Sequence, residues 1–175
     1  MTDHGLIGRW AVLVVTALIL QVSVAASFPV GGVVVDLMLL LAVCAGMTGG
    51  PERGAVVGFW CGLLYDLARD GRLGLSALAF TLVAFGVGSL LVAVLSVRRM
   101  LAMVIAALGM AAGELLYAVE GELFGEHTLT HPRLWAIVGV NAAIGGLLSP
   151  FVLRICRWAE GPDERRSAIV GVIDG

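Results

Sequence analysis

Lysine is absent from this 175-residue chain, and all 11 basic residues are arginine. We read that as genomic bias rather than mechanism. Charge of either sign is scarce. Charged residues make up 14% of the chain, against roughly 25% in a soluble domain. The net charge of −2 leaves no basic surplus, so nothing points to nucleic acid. The three cysteines, Cys44, Cys61 and Cys156, show no CxxC spacing, which argues against a disulfide framework or a zinc site. No GxSxG, P-loop or strand-borne GxGxxG occurs, and the scattered serines have no histidine partner in the apolar runs. Catalysis therefore has no motif behind it, and no cofactor is implied. What the chain does have is apolar length. It is 59% hydrophobic, with mean hydropathy +1.00. Successive runs near the length of a bilayer crossing make it an all-α integral membrane protein. The length allows one compact bundle and no sizeable soluble domain.

Six runs can be followed in order. The first, residues 10–26, resembles a signal peptide with its small-residue Val24-Ala25-Ala26-Ser27 end, but is read as a retained span. Phe28-Pro29 and Gly31-Gly32 make a turn. Residues 33–47 form the second run, and 48–53 a tight loop holding Gly49-Gly50-Pro51. Residues 54–68, 73–97, 100–119 and 134–155 complete the set. The second and third runs have about 15 residues each, fewer than the roughly 20 needed to cross hydrocarbon. Pro51 and its glycines bar their merging into one helix. The expected division is a six-helix transmembrane domain over residues 1–158 and a cytoplasmic tail over 159–175.

Arginine placement sets the orientation. With the N-terminus inside, the inner segments hold Arg9, Arg53, Arg98, Arg99, Arg154, Arg157, Arg165 and Arg166. The outer loops hold Arg69, Arg72 and Arg133. Both termini are thus expected in the cytoplasm.

The third run carries a ladder, Gly54-Ala-Val-Val-Gly58-Phe-Trp-Cys-Gly62-Leu-Leu-Tyr-Asp66. Residues four apart share a helix face, and a bare glycine stripe admits another helix closely. That helix belongs either to the bundle or to a partner. Asp66 ends the ladder and Asp36 stands near the start of the second run. Their favoured reading is interfacial, as helix caps or in pairs with Arg69 or Arg72. Partner contact and ion or proton handling are the alternatives. Gly109 and Gly113 form a second GxxxG, followed by Glu114. Glu114 and Asn141 at similar depth would satisfy each other by a hydrogen bond. With Tyr117 they could otherwise line a polar cavity. His127 and His131 have i,i+4 spacing, but Thr128, Thr130 and Pro132 disfavour a helix there. They are read as a solvated loop, not a metal site.

Residues 36–88 resemble the rod shape-determining protein MreD family. The resemblance rests on the Asp36-Leu-Met-Leu-Leu-Leu run, the turn at 49–53, the glycine ladder ending in Asp66, and Leu73-Gly74-Leu75-Ser76-Ala77-Leu78 before a span with Gly86 and Gly88. Val35 stands where members commonly carry proline. The resemblance implies a non-enzymatic scaffold of the elongation machinery in the bacterial inner membrane. It implies MreC as partner, a single-span protein, together with the actin-like MreB, RodA and a class B penicillin-binding protein. It also implies a fold similar to the substrate-binding subunits of energy-coupling-factor transporters. The rival reading is accordingly a vitamin-type transporter subunit with a pocket near Glu114, Tyr117 and Asn141.

Overall fold

A computed structural model describes residues 3–25, 32–68, 74–92, 99–123 and 132–161. The loop arginines Arg69 and Arg72, the histidines His127 and His131, and the tail beyond residue 161 lie outside the described residues. Among the described residues the six runs of the sequence condense to five α-helices. These are α1 (Asp3–Leu20), which continues into a π-helical turn (Gln21–Ala25), α2 (Leu37–Ala68), α3 (Leu75–Val92), α4 (Arg99–Leu123) and α5 (Leu134–Glu160). Among the described residues, three segments are long and apolar enough to cross a membrane: Gly5–Ser23, Arg99–Leu123 and Leu134–Glu160. Leu75–Leu91 is a shorter apolar helix. The chain is an integral membrane protein.

The second and third runs are the two arms of α2. No loop separates them, only Gly50 at φ 80°, ψ −176°. That conformation belongs to glycine, and Pro51 next to it cannot supply the amide that would continue the first arm. The chain folds back there. A Cβ built on Gly54 would stand 2.7 Å from the Gly46 Cα. In a continuous helix those residues would be about 12 Å apart along the axis. The arms therefore run antiparallel, face to face on their glycines.

The first arm is the core of the molecule. Every residue from Met38 to Gly46 is buried, so the helix is apolar all round. It is roughly 20 Å long, against about 30 Å of hydrocarbon. Its shortness is tolerable because its neighbours, not lipid, surround it. Leu39 and Val43 project into α4 at Gly113 and Gly109, where a built Cβ would come within 2.7 and 3.0 Å of them. Between those two glycines in sequence, Met110 fills the space beside Gly145 of α5.

Helix α3 lies against both arms. Its Ala84 carbonyl faces Gly46 and Gly54 together, its Phe80 carbonyl faces Gly58, and its Ser76–Ala77 backbone faces Gly62. At the fold-back, Gly88 of α3 meets the Gly50 and Pro51 backbone. Backbone rather than side chain fills these contacts, and such approaches carry weak Cα–H···O interactions. The ladder of the third run is thus occupied by α3.

A methyl at Gly58 would meet the Phe80 carbonyl oxygen at 2.6 Å, and a backbone carbonyl has no rotamer to escape through. Gly58→Ala is therefore expected to lower stability by about 2–3 kcal/mol, the upper range for overpacking. Gly86, with nothing within 4 Å, should accept alanine without loss. Thermal unfolding of both variants in detergent micelles checks the contrast.

Candidate functional site

One end of the bundle gathers buried helix starts. Helix α2 begins among other helices, so its first amides have no water to meet. Three side chains from different elements meet them. The Asp36 carboxylate accepts from Leu39 N at 2.8 Å. Gln21, from the π-helical turn, accepts from Leu37 N at 2.7 Å. The Asn141 carbonyl oxygen, from α5, accepts from Asp36 N at 2.8 Å. All three residues are buried, Asn141 to 1% exposure. Asp36 is thus an N-cap, supported by two amide side chains.

Asp66 plays the same part for the next helix. Its carboxylate accepts from Gly74 N at 2.7 Å and Ser76 N at 3.3 Å. It closes the second arm of α2 and opens α3, with the positive φ of Gly74 (105°) making the turn. Asp66 is 5% exposed. Glu120 completes the acidic group at this end. The sequence reading placed it in the loop, but α4 continues to Leu123 and buries it. One Glu120 oxygen, Oε2, has no hydrogen-bond partner among the described residues.

The opposite end is held by charge. Arg53, just past the α2 fold-back, pairs with Glu160 at the end of α5. Arg9 of α1 stacks its guanidinium 5.4 Å above the Trp158 ring, within cation–π range. The start of α1 and the end of α5 therefore meet at one end of the bundle.

The glycines Gly54, Gly58 and Gly62 lie against α3, and Gly109 and Gly113 against the first arm of α2. Glu114 and Tyr117 are half-buried on α4. Asn141 commits its carbonyl oxygen to Asp36. A cavity of about 610 Å³ lies away from these three residues, between α1 and the second arm, with Trp10, Val57 and Trp60 in its walls. A second, of about 400 Å³, is lined by Arg99, Arg154 and Arg157. Among the described residues no three His, Cys, Asp or Glu side chains group as metal ligands. Cys44, Cys61 and Cys156 are free and buried.

Sequence reasoning missed Gln21 and the Arg53–Glu160 pair. Gln21 had a signal, as the lone amide in the 10–26 apolar run. Glu160 had none, because a charged tail residue looks alike whether buried or solvated.

Asp36, Gln21, Asn141 and Asp66 thus serve the protein's own helix starts, which defines a largely helical membrane protein built around an internally capped hairpin. The match to the family model of the rod shape-determining protein MreD covers residues 5–158, and the chain belongs to that family, a family of cell-shape membrane proteins. No curated protein and no solved structure gives a match.

Loss of the cap should appear as stability. Asp66→Ala is expected to cost about 1 kcal/mol, while Asp66→Asn, which keeps an acceptor oxygen, should retain most of it. Melting temperatures in one detergent decide between them. At the other end, Arg53→Leu removes the guanidinium that pairs with Glu160 and should destabilise by about 2 kcal/mol. Adding Glu160→Leu should recover most of that loss in the same assay.

Proposed function

We propose that the protein is a non-enzymatic scaffold of the rod elongation complex that binds MreC and helps organise lateral peptidoglycan synthesis. In this reading the two arms of α2 and the four other helices cross the inner membrane six times. Both termini are cytoplasmic, and the tail expected over 159–175 starts instead after Glu160, the last residue of α5. MreB, RodA and a class B penicillin-binding protein are the further members of the assembly.

The observation that carries the reading is the family match over residues 5–158. Geometry adds support. Asp36, Gln21, Asn141 and Asp66 all bond to helix-start amides, which leaves little to clamp a small polar molecule. The arginines of the Arg9–Arg53–Arg157 end suit a cytoplasmic surface. A single-span partner needs an apolar, aromatic face on the bundle. The cleft between α1 and the second arm offers one, with Ile7, Val56 and Trp60 exposed beside it. We place the MreC helix there.

Detergent pull-down from native membranes should recover MreC with the wild-type chain. Val56→Arg, at a position 59% exposed, should lose MreC while keeping its melting temperature. Recovery of an ATPase module with no MreC, together with stabilisation by a metabolite, would overturn the scaffold reading in favour of a transporter subunit.

A further inference from the structure

The cavity of about 400 Å³ at the arginine end has three cations in its lining and no carboxylate. Arg99 is the first described residue of α4 and stands on the α4 wall of the cavity. Arg154 and Arg157 are three apart on α5 and share a face, with Pro150 one turn before Arg154. The floor is apolar: Ala102 is 7% and Leu153 3% exposed. Glu160 lines a neighbouring cavity of about 340 Å³ together with Arg157, and pairs with Arg53. Arg99 and Arg154 have no ion-pair partner among the described residues. Arg99 and Arg154 thus bring two guanidiniums from two helices to one hollow whose lining holds no carboxylate.

We propose that this cavity binds the phosphate-bearing head of an anionic membrane phospholipid. A phosphate matches the forked donors of arginine. Basic pockets between transmembrane helices are suited to acidic lipid heads. The surroundings favour a lipid over a soluble phosphate. Met100 and Phe151 flank the arginines and are 81% and 67% exposed, giving acyl chains an apolar surface directly beside the head. The site is separate from the cleft assigned to MreC, so either assignment can fail alone.

The test uses the full chain, delipidated in detergent and offered mixed micelles of phosphatidylglycerol or phosphatidylethanolamine, or inorganic phosphate alone. Bound lipid is counted by native mass spectrometry. One phosphatidylglycerol per chain should be retained in preference to phosphatidylethanolamine. Arg154→Gln should weaken retention about five-fold, and Arg99→Gln with Arg154→Gln about 25-fold, the effect of roughly one lipid-facing charge each. Arg154→Lys should restore part of it. Arg9→Gln, which alters an arginine at the same end but outside the cavity, should change nothing. Arg99 and Arg154 are exposed and Arg9 is half-buried, and circular dichroism should show every variant folded. Equal loss in Arg9→Gln, absence of headgroup preference, or full competition by inorganic phosphate would each overturn the proposal.

Discussion

A helix that starts inside an apolar bundle presents amides that no water can reach, and most of this structure follows from meeting that demand. The first arm of α2 is the best-buried segment of the chain. It can hold that place only because Asp36, Gln21 and Asn141 supply acceptors at its start. Each comes from a different part of the fold, so the cap also fixes where α1 and α5 stand relative to the core. Asp66 repeats the solution for α3. In hydrocarbon an unmatched backbone group costs several kcal/mol.

Close backbone approach is the second device. Helices in lipid gain little from apolar burial alone, since lipid tails are equally apolar. Contact distance must compensate. The glycine ladder lets α3 come against both arms of α2, with its Ala84 carbonyl shared between Gly46 and Gly54. The fold-back at Gly50 brings those two glycines together, so the turn and the packing depend on the same few residues. On α4 the glycines work differently, receiving the branched side chains of Leu39 and Val43.

Much of this was legible in the sequence where it was periodic or local. The i,i+4 ladder announced a face for close packing, and Pro51 with its glycines announced a break. The break proved tighter than the expected 48–53 loop, because one glycine at positive φ suffices to reverse the chain. Asp36 and Asp66 announced helix ends, though not which helix each would cap. Asp66 ends one helix in sequence and begins another in space. The long-range partners were not legible. Asn141 lies 105 residues from Asp36 and Glu160 lies 107 from Arg53, and no spacing rule connects such pairs. The extension of α4 through Glu120 was hidden as well, since an acidic residue after an apolar run reads as a loop until a neighbouring element covers it.

The Asn141 bond also orders events in time. A ribosome delivers the start of α2 long before it delivers α5. At about 5–20 residues per second, the 105 residues between Asp36 and Asn141 take roughly 5 to 20 s to make. Throughout that interval the Asp36 amide lacks its acceptor from α5, while Gln21 and the Asp36 carboxylate have already been made. The cap on the innermost segment is therefore completed only when α5 arrives.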